Sequence, residues 1–71
     1  MKVFLQKQKI QEILVRKNKS QNWLAKKLQI STGYMSQLTA GSRNPSPELR
    51  EKLMGMFPDK DFDDLFVIET I

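Results

Sequence analysis

The chain has 71 residues, with twelve Lys and Arg against eight Asp and Glu, and it contains neither cysteine nor histidine. A domain this short buries only about 60% of the surface its unfolded form exposes, so no large pocket is expected, and helical packing or a second copy must supply stability. Disulfides are excluded, the usual zinc, iron and copper sites nearly so, and no cofactor is expected.

The apolar runs fall far below the roughly 20 residues needed to cross a bilayer, and the opening "MKVFLQKQKI" lacks a signal-peptide core, so a soluble intracellular protein is expected. Charge is distributed unevenly. Residues 1 to 52 hold eleven basic and three acidic side chains, a net of +8, whereas residues 53 to 71 hold one and five, a net of −4. A basic body with an acidic far end suits a polyanionic partner that the tail avoids; the plainer alternative is an ordinary solvated surface.

Ile10, Ile13, Leu14 and Lys17 follow helical spacing in "QKIQEILVRKNK", which predicts a first helix from about residue 5 to residue 18, with Asn18 as its stop. Ser20 offers a capping oxygen for a second helix over "QNWLAKKL". Its inner stripe is Leu24, Ala25 and Leu28, and Asn22, Lys26 and Lys27 face outward. After "QIS", Ser31 caps a short third helix with Met35 and Leu38 as inner positions. Gly41 closes that helix, and "GSRNPSP" is the longest turn-like segment.

In "SPELREKLMGMF" Ser46 is the cap and Pro47 the first helical residue, with Leu49, Leu53, Met56 and Phe57 on one face. Glu48 stands four residues before Lys52, an exposed pair worth a few tenths of a kcal/mol, roughly. Pro58 ends this helix. The closing "DKDFDDLFVIETI" predicts a one-turn helix around Phe62 to Phe66, then an extended, β-branched end at Val67 to Ile71. Phe62, Leu65 and Phe66 are expected to close the core.

Two short helices joined by three residues, with a small residue in the first, have the geometry of a helix-turn-helix. Ala25 is the small residue that lets two steeply crossed axes approach, and Ile30, Met35 and Leu38 fall where the turn and the second helix close over the same core. On the third helix, about 100° per residue puts Gly33, Ser36, Gln37 and Ala40 opposite Met35 and Leu38. That outer face has no acid. Its small residues permit close approach, and the Gln37 amide can make paired hydrogen bonds with adenine in a major groove. Gly33 costs about 1 kcal/mol of helix propensity relative to alanine, either to relax the first turn or to bring the backbone near a base. Tyr34 lies on the flank, with core packing and a hydroxyl–phosphate contact both open. For Trp23, packing against the first helix is favoured over an edge contact with a partner.

The segment "SQNWLAKKLQISTGYMSQLTAGSRNPSPELREKL" resembles the Cro/repressor-type helix-turn-helix family, over about Ile10 to Phe57. The resemblance implies a compact all-α, five-helix DNA-binding domain occupying residues 1–71, with the helix-turn-helix at helices 2 and 3. It also implies a homodimeric bacterial or phage transcription regulator, cytoplasmic and nucleoid-associated; independently, the absence of a glycine-rich phosphate loop, histidine and cysteine makes an enzyme unexpected. Gln21 and Ser31 would meet DNA phosphates, and Thr32, Gly33, Ser36 and Gln37 would face base edges. Arg43 would lie along the backbone or reach toward the minor groove. Lys26, Lys27 and Tyr34 join the expected phosphate contacts.

The family usually has glycine where this chain has Gln29, and a left-handed residue there costs about 1 to 2 kcal/mol. Leu14 and Thr39 occupy the places of a frequent arginine–glutamate pair; both charges are missing together, so neither is stranded. The end "FVIETI" is expected to pair with "KVF" near the N-terminus or with its copy in a second subunit. Dimerisation is the favoured outcome, through Phe66, Val67, Ile68 and Ile71. Two other functions compete: a DNA-binding antitoxin covered in part by a protein toxin, and a protein-interaction or RNA-binding module. The acids Asp59, Asp61, Asp63 and Asp64 are expected to cap and solubilise rather than to catalyse.

Overall fold

Serine caps set where the helices begin. In the computed structural model, which describes residues 1–70, the Ser20, Ser31 and Ser46 hydroxyls accept from the backbone N–H of Trp23, Tyr34 and Leu49 at 3.0, 3.0 and 3.2 Å. These caps open α2 (Gln21–Leu28), α3 (Thr32–Ala40) and α4 (Pro47–Met56). Each satisfies a donor that the first helical turn leaves without a partner. α1 (Lys7–Arg16) begins without a side-chain cap.

Three successive helices end in the same way. Asn18, Gln29 and Gly41 adopt positive φ of 57°, 60° and 81°. In each case the following residue's N–H reaches back to a carbonyl of the last turn: Lys19 to Leu14, Ile30 to Ala25, Ser42 to Gln37. Asparagine and glycine adopt this conformation readily, whereas Gln29 bears the expected cost of about 1 to 2 kcal/mol. A tertiary contact offsets it. The Lys52 ammonium on α4 donates to the Leu28 carbonyl at 3.4 Å and to Gln29 Oε1 at 3.2 Å. The expected Glu48–Lys52 pair is therefore absent, because Lys52 is drawn instead to the exposed carbonyl end of α2.

The N-terminal end departs from the expectation, whereas the C-terminal end follows it closely. The first helix starts at Lys7 rather than residue 5 and stops at Arg16 rather than 18, and β1 (Lys2–Leu5) precedes it. β1 pairs antiparallel with β2 (Phe66–Glu69), with Leu5 opposite Phe66 and Val3 opposite Ile68. The Gln6 N–H donates to the Leu65 carbonyl at 2.8 Å, which extends the pairing by one residue up to the start of α1. Among the described residues the protein is thus mostly helical, with five helices and a small two-stranded sheet that includes the C-terminal strand. The final strand pairs within the chain, one of the two pairings expected of it.

Between α4 and β2, α5 (Phe62–Leu65) is held by a reciprocal cap. Asp61 Oδ1 accepts from the Asp64 N–H, and Asp64 Oδ2 accepts from the Asp61 N–H. The capping expected of the acidic cluster is met here. One core joins all five helices: Ile10, Ile13 and Leu14; Leu24, Ala25 and Leu28; Met35 and Leu38; Leu49 and Leu53; then Phe57, Leu65 and Phe66. Phe57 lies just past α4 yet is only 2% exposed. Fully burying each large apolar side chain contributes roughly 1.5 to 3 kcal/mol, which makes this cluster the main source of stability. Phe66 is 1% exposed, so its side chain belongs to the core rather than to a subunit interface. Val67 is half-buried and Ile68 exposed; Ile71 lies outside the described residues.

Candidate nucleic-acid interface

α3 is anchored on one side and bare on the other. Met35 and Leu38 are buried, while Thr32, Gly33, Ser36, Gln37 and Ala40 are all exposed, as 100° per residue requires. Thr39 turns its hydroxyl inward to the Met35 carbonyl at 2.9 Å. Among the described residues the side chains of Thr32, Ser36 and Gln37 make no hydrogen bond. The exposed face of α3 therefore offers one amide and two hydroxyls with no partner inside the chain.

Gly33 is not required by the fold. A Cβ there would meet only the Ser31 hydroxyl, at 4.0 Å, and its φ is not in the left-handed range. Gly41, by contrast, needs its positive φ to close α3. Neither steric crowding nor backbone geometry within the chain accounts for the propensity lost at Gly33.

The C-terminal end of α3 is braced. The Gln37 carbonyl accepts from Ser42 N–H at 3.0 Å, Arg43 N–H at 3.3 Å and the Ser42 hydroxyl at 3.2 Å. Farther along the loop, Asn44 Nδ2 donates to the Val3 carbonyl at 2.8 Å and ties it to β1. Tyr34 is half-buried with its side chain against the core, and the Arg43 guanidinium carbon lies 5.6 Å from its ring centroid.

α2 supplies the neighbouring cations. Lys26 and Lys27 are exposed in its last turn, and Gln21 is half-buried at its start. Gln21, Leu14, Met35 and Thr39 line a cavity of about 10 Å³, at or below the room one water needs. Leu14 and Thr39 thus share a closely packed wall with no stranded charge, the outcome expected of an apolar replacement. Trp23 packs partly against the core, with the Lys19 ammonium 5.4 Å and the Lys27 ammonium 6.0 Å from its ring.

Every ion pair among the described residues lies elsewhere. Lys9 meets Asp64 at 3.7 Å, Arg16 meets Glu12 at 3.0 Å, and Lys60 meets Asp59 at 4.0 Å. The Asp64 carboxyl is held below its ordinary pKa chiefly by the Asp61 backbone N–H; Lys9 and Lys60 add to this, and partial burial opposes it. Lys19, Lys26, Lys27 and Arg43 form none of these pairs. Aromatic rings hold three of the four by attraction to the π face, which leaves their positive charge unneutralised.

The structure thus groups Thr32, Gly33, Ser36 and Gln37 on one face and sets Arg43 on Tyr34. It assigns Ser31 to capping α3. Lys52, expected only as a partner of Glu48, holds the α2–α3 turn, and Asn44 fixes the following loop. An Asn-Pro pair in a turn signals the second of these; nothing in the sequence signals the first. Among the described residues there is no helix able to cross a membrane and no group of three His, Cys, Asp or Glu side chains able to hold a metal ion. No protein-family model, curated protein or solved structure matches the chain.

Proposed function

We propose that the protein is a sequence-specific double-stranded DNA-binding regulator of transcription, acting as a repressor by occupying its operator. In this reading α2, the turn at 29–31 and α3 form a helix-turn-helix of the Cro/repressor type, and α3 enters the major groove. One observation carries it: α3 has an exposed, acid-free face of small residues and unpartnered polar groups, bordered by cations that no carboxylate neutralises. A face meant only for solvent normally carries Lys and Glu.

Roles divide accordingly. Gln37 reads adenine through paired hydrogen bonds, and Thr32, Gly33 and Ser36 make the close contacts to base edges. Gln21, Ser31, Lys26, Lys27 and Arg43 meet phosphates, which position the protein without specifying sequence. A homodimer places two α3 helices about 34 Å apart on a near-palindromic site. Of the residues expected at its interface, Val67 and Ile68 keep accessible side chains. With about four phosphates neutralised per subunit, log Kd should change with log salt at a slope magnitude near 7.

Selection of bound sites from random duplexes at two salt concentrations tests this, with Gln37→Ala alongside. The variant should lose about 1 to 3 kcal/mol of discrimination at one base-pair position and keep nearly the same salt slope. Identical sites from parent and variant would remove Gln37 from the reading face. If neither protein selects any site, sequence-specific regulation is wrong. Equal competition by single-stranded RNA would favour an RNA-binding module.

A further inference from the structure

We propose that Tyr34 is a positioning residue: its ring holds the Arg43 guanidinium ready for a DNA phosphate, and its hydroxyl is not needed. The inference rests on the DNA-binding reading above. Arg43 is exposed and forms none of the ion pairs among the described residues, yet it is not left loose. Its N–H is tied to the Gln37 carbonyl at 3.3 Å, and its guanidinium carbon sits 5.6 Å from the Tyr34 centroid. The ring is itself fixed, because Tyr34 packs partly against the core and its backbone N–H is capped by Ser31 at 3.0 Å.

The choice of an aromatic partner matters. A carboxylate in its place would hold the arginine more firmly but compete with the incoming phosphate. An aromatic face attracts the cation and leaves its charge and its N–H donors available for bidentate contact with phosphate oxygens. Holding the side chain before binding also reduces the rotamer freedom lost on complex formation. The Gln37 carbonyl also anchors the Arg43 backbone, which keeps the start of the loop close to the end of α3. A guanidinium held on a ring keeps its fork of N–H donors free for the two oxygens of a phosphate, so phosphate is the ligand proposed for it.

A double-mutant cycle tests the proposal, using a duplex that the parent selects from random sequence and affinities measured across a salt series. Arg43→Ala should weaken binding by about tenfold and reduce the slope by about 0.9 for each phosphate no longer neutralised. Tyr34→Ala should reproduce most of that loss and part of the slope change, and Tyr34→Phe should behave as the parent. Adding Tyr34→Ala to Arg43→Ala should cost little more. Independent, additive losses would overturn the positioning role, since a merely structural tyrosine leaves the contribution of Arg43 intact. Tyr34→Phe as weak as Tyr34→Ala would assign the contact to the hydroxyl and also overturn it. So would an Arg43→Ala variant with altered preference at flanking A·T pairs, the mark of a minor-groove contact. Should Tyr34→Ala fail to fold, Tyr34→Leu keeps apolar volume without the aromatic face and is expected to give the same result. A parent that selects no duplex defeats the DNA-binding reading itself, whereas additivity in a binding parent defeats only this inference.

Discussion

The α1–α5 side and the α2–α3 side of the molecule hold their cations by different means. On the first, Lys9 and Arg16 sit against Asp64 and Glu12, so their charge is cancelled locally, and Lys17 lies over a ring, 5.7 Å from the Phe57 centroid. On the second, Lys19, Lys27 and Arg43 sit over Trp23 and Tyr34, so charge is held without being cancelled. The difference matters beyond contact distance. Paired charges project little field, whereas unpaired ones attract a polyanion from about a Debye length away.

The largest expected effect removes both sides together. Leu24 is 0% exposed and belongs to the one core that all five helices share. Leu24→Ala should cost about 2 to 5 kcal/mol of stability through lost burial and a residual cavity. In a domain this small that loss should appear in urea unfolding as a large fall in midpoint. A variant whose midpoint hardly moves would mean that α2 is not integral to the core.

The contrast itself is tested by paired lysine substitutions. Lys27→Ala should weaken DNA binding to a similar degree across sequences and lower the salt slope by about 0.9 for each phosphate it had neutralised. Lys9→Ala, which removes a cation already matched by Asp64, should leave both quantities nearly unchanged. Equal effects from the two would mean that the chain acts through net charge alone, without a dedicated face.

Glycine offers a finer comparison. Gly33 and Gly55 both lie in helices with room for a Cβ, but only Gly33 is on the exposed face of α3. Either change to alanine should raise stability by up to about 1 kcal/mol, read as a shift in thermal midpoint. Only Gly33→Ala should weaken binding to a selected duplex, because the added methyl occupies space needed by a base edge. Weaker binding from Gly55→Ala would move the DNA-facing surface toward α4.

What is legible in the sequence is local. Ser20, Ser31, Ser46 and Gly41 announce their roles because capping needs only a suitable side chain next to a helix. The outer face of α3 is legible for a similar reason, since Met35 and Leu38 fix the helix rotation. β1 is not. "KVFL" is too short to separate a strand from the start of the helical stripe, and its partner lies at the opposite end of the chain. Spacing alone assigns Lys52 to Glu48, because helical periodicity cannot register a carbonyl brought near by tertiary packing. Tyr34 sits at the boundary between faces, where a wheel gives no answer, and a loop arginine gives its ring a partner.

The smallest expected effect concerns the paired side and distinguishes a cap from an ion pair. Asp64 has its pKa lowered in the folded protein, first by the Asp61 backbone N–H and less by Lys9. A group with a depressed folded pKa contributes stability that is fully present above its unfolded value, about 3.9, and is lost as pH falls through the folded one. Thermal midpoints should therefore decline as pH drops below about 4. Asp64→Asn keeps an oxygen able to accept from the Asp61 N–H but cannot titrate, so it should flatten part of that decline. Lys9→Met should leave most of it, because the backbone donor remains. If Lys9→Met alone flattened the acid limb, the exposed 3.7 Å ion pair rather than the reciprocal cap would set the titration of α5. The charge on the α1–α5 side would then stabilise the fold chiefly across helices rather than within a single turn.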